Sequence, residues 1–444
     1  MQCRFFPIAV AVIGVWMVCA LPVAAGAAGP GPATVPAELD LETALALALA
    51  RNPALAGAAA GIRAREAAVT QAGLWPNPEF SLEVENFAGT RERKRFDGAE
   101  ITATLSQLVE LGGKRRKRRQ LAARQRELTA AARRRLELDL RAEVGRAFIN
   151  VLVAQERLAL DRELLGLAER TAAAVGERVE AGKVSPVAAT RARVELATAR
   201  SQMRDSVYRL ATARRLLVST WGDRRAGFER VTGPLRDFRQ PPPLAALKAG
   251  LKENPDLLIR RSELERRRVA GDLAAAEAIP DLTVSAGLRN FQERNDNALV
   301  FGISLPLPIF DRNQGGMVEA REETEKARLD GETARLRLET ELVSARRELE
   351  AAFATAAALR DEILPGAREV FAASELGYRE GKFPLLRLLD AQRTLFAVRR
   401  KYLTALETYH LARIDLERLA GVPLARVGTA AAAGNGGVFE NEKK

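Results

Sequence analysis

The spacing of apolar and polar positions switches from helical to alternating and back, and the whole series of switches occurs twice. In residues 78–113, PEFSLEVENFAGTRERKRFDGAEITATLSQLVELGG, two alternating runs flank a polar loop and stop at Gly112-Gly113. Phe80, Leu82 and Val84 fall on one side of the first run, and Ser81, Glu83 and Glu85 on the other. Ile101, Ala103 and Leu105 oppose Thr102, Thr104 and Ser106 in the second. Residues 280–316 repeat the design. Leu282, Val284, Ala286 and Leu288 oppose Thr283, Ser285, Gly287 and Arg289, while Phe301, Ile303 and Leu305 oppose Val300, Gly302 and Ser304. A period of two predicts strands, here at about 78–88, 99–109, 281–290 and 298–307.

Helical sequence fills the intervals. LARNPAL at 49–55 and LKENPDL at 251–257 each place a proline where a helix restarts, a position that tolerates a missing N–H. Residues from Lys114 to about Arg178 hold no proline, and Val144, Val151, Leu158 and Leu165 recur every seven residues beside Ala147 and Ala154. Leu329, Leu336 and Val343 do the same in the second copy, with Leu338, Ala345, Ala352 and Leu359 alongside. Such seams predict knobs-into-holes packing. About 65 helical residues make a rod of roughly 100 Å, too long for a compact globule. Each rod is predicted to end in a turn, at 180–186 and 379–384, from which a second helix returns. The offset between matching segments stays at about 200 residues, which marks a duplication. The units are 39–222 and 244–424, joined by a proline-rich linker at 223–243 and followed by a tail at 425–444 that reads as disordered.

Composition changes the setting. Residues 1–27 read as a secretory signal, with Arg4 before an apolar stretch and Ala25-Gly26-Ala27 as the cleavage site. Cys19 follows Trp16-Met17-Val18 rather than a small residue, which favours ordinary cleavage over lipid attachment. Cleavage would remove both cysteines, Cys3 and Cys19, leaving no thiolate chemistry. The formal charge of +12 would suggest nucleic acid in a cytoplasmic protein; in an exported one it suggests an anionic surface.

Export also decides between a half-buried soluble sheet and a membrane barrel, since strands of nine or ten residues suit a tilted bilayer crossing. Phe80, Leu82, Val84, Ile101, Leu105, Leu282, Val284, Leu288, Phe301, Ile303 and Leu305 are then the lipid-facing set, and Glu83 and Glu85 face the lumen, where carboxylates favour cations. Four strands cannot close, and an open edge in hydrocarbon costs several kcal/mol for each unpaired group. Two copies would give about eight strands and a side-chain-filled interior; three would give about 12 and a lumen.

NPEFSLEVENFAG at 77–89 and LSQLVELGGKRRKR at 105–118 resemble the heavy-metal, CzcC-like branch of the TolC-type outer-membrane efflux family, and YREGKFPLLRLLDAQRTL at 378–395 resembles that family's tip signature. The resemblance spans about 39–424. It implies an α+β membrane protein in which tandem-duplicated helical hairpins form a periplasmic α-barrel. Four strands per protomer would build the 12-strand barrel of a homotrimer in the outer membrane. A periplasmic adaptor and an inner-membrane pump of the resistance-nodulation-division type are the implied partners, with divalent heavy metals as cargo. Carried over by motif, Gly182, Lys183, Val184, Gly381, Lys382 and Phe383 are adaptor contacts. Tyr378, Arg387 and Asp390 belong to the periplasmic gate. Arg387 departs from the family pattern, in which an acid often stands there, and Ala188-Ala189-Thr190 supplies no aspartate in the matching region.

Other readings remain beside this one: a multidrug or type I secretion duct of the same fold, or a soluble coiled-coil scaffold or nucleic-acid-binding protein. No catalytic constellation, cofactor motif or metal-ligand cluster stands out, and a lone histidine, His410, reads as structural. Lys114–Arg119, KRRKRR, is a candidate anchor to lipid headgroups; its cations oppose the helix macrodipole and need compensation.

Overall fold

The computed structural model describes residues 35–91 and 96–421. The predicted signal peptide and C-terminal tail lie outside the described residues. The elements in order are β1 (Glu38–Leu39), α1 (Leu41–Arg51), α2 (Pro53–Ala72), β2 (Glu79–Glu85), β3 (Glu100–Val109), α3 (Lys114–Glu180), α4 (Pro186–Ser219), β4 (Arg230–Val231), α5 (Leu244–Gly250), α6 (Pro255–Glu277), β5 (Leu282–Phe291), β6 (Asp296–Ser304), α7 (Gln314–Ala358), α8 (Leu364–Arg379) and α9 (Leu385–Ala420).

One neighbour order runs the length of the molecule. The antiparallel sheet is ordered β2-β3-β5-β6. Each strand continues into a helix, so the layer beneath it is ordered α2-α3-α6-α7. Below that the order is α4-α3-α9, with α7 and then α8 on the far side of α9. Every layer therefore ends in two open sides, one at β2, α2 and α4 and the other at β6, α7 and α8.

The two repeats are built with the same small devices. Asn52 caps α2 through its side-chain oxygen, and its amide donates to the Thr220 carbonyl at 2.8 Å, tying the start of the first repeat to its end. Asn254 does the same for α6, donating to the Leu419 carbonyl at 2.7 Å. Capping stabilises such a helix start by ~1 kcal/mol, and here the same side chain also fixes where the repeat closes.

Strand boundaries differ from expectation for identifiable reasons. β2 stops at Glu85, short of 88, because Asn86 and Ala88 adopt positive φ (57° and 59°). β6 runs Asp296–Ser304 rather than 298–307, since Pro306 and Pro308 offer no N–H to a ladder. The 223–243 connector is not loose. Phe228, Val231, Leu235 and Phe238 are buried in the core, and β4 pairs in parallel with β1, adding a two-stranded ladder to the four expected strands. Tyr409 secures the strap: its hydroxyl bonds both the N–H and the carbonyl of Arg239, and its ring packs edge-on against Phe238.

The first seven-residue seam packs inward, with Val144, Val151 and Leu158 buried. In the second repeat the predicted Leu329–Leu336 row is not the core seam: Leu336 is 68% exposed whereas Leu338 is 6%. The buried row is Leu338, Leu342, Ala345, Leu349, Ala352, Ala356 and Leu359, spaced alternately four and three apart as heptad packing requires. Leu329 and Leu336 instead remain exposed on α7 among the described residues.

The rods also differ. α3 is unbroken over 67 residues, whereas the second rod carries a π-helical stretch at Leu359–Ile363 between α7 and α8. Pro365 explains it. A proline donates no i→i−4 bond and its ring crowds the preceding turn, and widening that turn by one residue accommodates both effects.

Gly287 is the tightest point of the sheet. A Cβ there would sit 2.4 Å from the Ala103 carbonyl and 2.9 Å from Thr104 Oγ1, across the β3–β5 junction that joins the two repeats. Gly287→Val is expected to destabilise the folded protein by about 1–3 kcal/mol through overpacking. Its melting temperature in detergent should fall while that of Gly315→Val, at an open position, stays near the wild-type value.

Candidate transport path and periplasmic tip

Pairing register sorts the sheet into two faces. Phe80 lies opposite Leu105, Leu105 opposite Ala286, and Ala286 opposite Phe301; Leu82, Ala103, Leu288 and Leu299 form the next row. Val84 with Ile101, and Val284 with Ile303, share this side, as does Leu282 through its pairing with Val109. Phe301 and Ile303 are each 76% exposed. Leu305 lies just past the end of β6. Leu299, absent from the expected set, belongs to the same face. The sheet thus presents an apolar surface that none of the described residues covers.

The opposite face is polar and charged. Glu79, Glu83 and Glu85 line β2, and Glu100 stands across from Glu85. Arg289 reaches into this group from β5. Its Nε donates to Thr102 Oγ1 at 2.9 Å, and its guanidinium lies 3.3 Å from Glu100 and 3.7 Å from Glu85. Glu85 is therefore ion-paired, while Glu83, on the same face, has no cation within 4 Å among the described residues. Arg289 was visible only as one polar position in an alternating run. Its meaning depends on β3 pairing with β5, across 187 residues of sequence.

At the far end both rods turn in the same way. Gly182 (φ 67°) and Gly381 (φ 75°) take the left-handed conformation. Lys183 N–H bonds the Arg178 carbonyl and Gly182 N–H bonds Val179; Lys382 to Gly377 and Gly381 to Tyr378 repeat the pattern. This is the Schellman arrangement that closes a helix C-terminus. Ser185 then caps α4 through its side chain, while Pro384 opens α9. Lys183 is exposed and Val184 half-buried; Lys382 pairs with Glu380 at 2.6 Å.

Phe383 lies against Gly377, where a Cβ would come within 2.3 Å of its ring, and the Arg387 guanidinium lies over the same ring at 4.2 Å. Arg387 is thus held to its own tip. The two tips touch through Arg178, which sits 4.6 Å over the Tyr378 ring, a cation–π contact that closes one hairpin on the other. Tyr378 is buried and its hydroxyl has no hydrogen-bond partner among the described residues. Asp390 is exposed, close enough for its charge to act on Arg393, which is paired with Glu195 of α4.

Further up, Asp161 of α3 is buried and bonded to Arg400 of α9 (2.8 Å) and Ser206 of α4, a junction of three helices that no sequence pattern announced. His410 is buried, and its Nε2 lies 2.7 Å from the Leu235 carbonyl, so Nε2 carries the proton and donates. Burial pushes its pKa down from the usual imidazole value. It is a packed neutral residue. Among the described residues no group of three or more His, Cys, Asp or Glu is placed to hold a metal ion.

A charged sheet face, an apolar sheet face left exposed among the described residues and a long helical body with paired tips define a membrane-duct subunit. The chain matches the outer membrane efflux protein family over residues 44–223 and 246–422, one span for each repeat. It belongs to that family. It is 38% identical over 367 residues to the cobalt-zinc-cadmium resistance protein CzcC of Cupriavidus metallidurans, covering 83% of this chain and 86% of that protein. The nickel-cobalt-cadmium resistance protein NccC of Alcaligenes xylosoxydans xylosoxydans is 28% identical over 284 residues, 63% of each chain. Among solved structures, a membrane protein from Pseudomonas aeruginosa superposes with a TM-score of 0.74 at 21% identity, covering 86% of this chain and 92% of that one.

Because Arg289 neutralises part of the acidic face, Arg289→Gln is expected to raise cation over anion permeability in planar-bilayer recordings. Glu83→Gln should lower it, and Glu85→Gln should change it less than Glu83→Gln.

Proposed function

We propose that three copies of this chain close side to side into a tube that conducts divalent heavy-metal cations out through the outer membrane. Each open side made of β2, α2 and α4 would meet the β6, α7 and α8 side of the next copy. A head-to-tail contact of this kind must close into a ring or grow without limit. The exposed apolar side chains on those sides, Val194 and Val207 on α4 and Leu329, Leu336 and Val370 on α7 and α8, suit such a contact. The apolar sheet face, including Phe80, Leu82, Val84, Leu288, Phe301 and Ile303, would then meet lipid, and Glu83 would face the lumen.

The observation that carries the cargo is the similarity to CzcC, which extends through both repeats. The duct itself would be passive. Its gate is the contact between hairpins at Arg178 and Tyr378, opened when a periplasmic adaptor engages the exposed tips around Gly182, Lys183, Val184, Gly381, Lys382 and Phe383. An inner-membrane pump delivers the ions. Weak binding along the route is what a duct requires, since an ion held tightly would not leave.

Deleting the gene is expected to lower tolerance to cobalt, zinc or cadmium salts while leaving tolerance to dyes and antibiotics unchanged. Sensitivity to dyes alone would overturn the metal cargo. At the gate, Arg178→Ala is expected to admit a large hydrophilic antibiotic that the wild type excludes. Tyr378→Phe keeps the ring and should stay closed; leakage there would show that the hydroxyl, satisfied by a neighbouring copy, carries the closure instead.

A further inference from the structure

The KRRKRR run is divided between structural and unused cations. Lys114 is buried and bonds Asp281 at 2.8 Å, and the same carboxylate accepts from the Leu111 N–H. Arg118 pairs with Glu110, and Lys117 donates to the Asp272 carbonyl at 2.8 Å, near the end of α6. These bonds place negative charge and acceptors around the start of α3, which offsets the unfavourable position of cations at a helix N-terminus. Arg115, Arg116 and Arg119 have no carboxylate within 4 Å among the described residues.

Two of the three pack against one segment, residues 73–75. The Arg115 guanidinium lies 4.0 Å over the Trp75 ring. One turn on, Arg119 passes along Gly73, with its Cδ 3.4 Å from where a Cβ would stand. Leu74 and Trp75, between them, are both more than half exposed. Residues 73–78, which join α2 to β2, are held at the foot of the sheet by Gln107, whose amide donates to the Pro76 carbonyl at 3.0 Å. They therefore continue the uncovered apolar face down to the arginines. The exit from β6 mirrors it on the other open side, where Phe310 is 89% exposed.

We infer that Leu74, Trp75, Arg115, Arg116 and Arg119 form a binding surface for anionic glycerophospholipid in the periplasmic leaflet of the outer membrane. The inference rests on the membrane reading given above. Leu74 and the Trp75 ring enter the acyl boundary, where an amphipathic indole is favoured. Arg115 lies over the indole with no carboxylate partner among the described residues, so its N–H donors are available to a phosphodiester, which a forked guanidinium suits better than an ammonium. Zwitterionic lipid brings its own ammonium to the phosphate. Three uncompensated arginines therefore favour a headgroup with net negative charge.

The full-length protein would be reconstituted in nanodiscs of phosphatidylcholine alone or with phosphatidylglycerol, and its melting temperature and retained lipids (by native mass spectrometry) compared. The wild type should melt higher and keep phosphatidylglycerol selectively. Arg115→Gln/Arg116→Gln/Arg119→Gln should lose that preference, by about fivefold in lipid affinity per arginine. A control removing equal charge from exposed sites, Arg191→Gln/Arg204→Gln/Arg321→Gln, should retain it. Insertion into both discs with no lipid preference, or a preference that survives the triple substitution, overturns the inference. Failure to enter either bilayer would instead overturn the membrane reading on which it stands.

Discussion

The structure depends on backbone hydrogen bonds that one chain cannot complete. Among the described residues β2 pairs only with β3, and β6 only with β5, so each outer strand keeps a row of backbone donors and acceptors that no neighbouring strand satisfies. Beside an apolar face, such rows are tolerable only if another strand satisfies them. The same incompleteness recurs in the helical layers, whose neighbour order copies that of the sheet. A single requirement, that no strand edge be left in hydrocarbon, thus sets the arrangement of the whole length. The duplication serves it by giving four strands with alternating direction from two units of the same helix–strand–strand–helix order.

Much of this was legible in sequence because it rests on local rules. A period of two distinguishes the faces of a strand, a proline after asparagine starts a helix, and a glycine before a lysine ends one. Those features depend on neighbours a few positions away; strands, rods and turns form in the stretches they mark, with β2 ending early at Glu85 and β6 shifted to Asp296–Ser304. Leu336 against Leu338 shows where local reading stops. Both rows repeat every seven residues, and only the placement of α9 beside α7 decides which of them is covered. Arg289 and Asp161 show the same limit for charge. Each acquires its role from a partner on an element distant in sequence, and alternation or helical spacing records only that the position is polar.

Charge is distributed with similar economy. The helical body is cross-linked by pairs such as Arg157 with Glu407, Arg399 with Glu163 and Arg418 with Asp139, at 2.6–2.7 Å. Half-exposed pairs of this kind each contribute only ~0–1 kcal/mol. Their greater effect is on alignment, since they fix the sliding register of α3 against α9, which narrow alanine-rich seams would leave loosely specified. At the start of α3 the same chemistry separates cations used within the chain from those left pointing outward.

The two rods of one protomer are mechanically unequal. α3 is a continuous strut from the foot of the sheet to its tip. The second rod is jointed at the π-helical turn before Pro365, leaving α8 as an arm of 16 residues, about 24 Å long. A lateral push on the second tip is therefore taken up as rotation about that joint, while a push on the first is resisted along the whole strut. The sideways stiffness of the periplasmic end is thus concentrated in α3 and α4, and its compliance in α8.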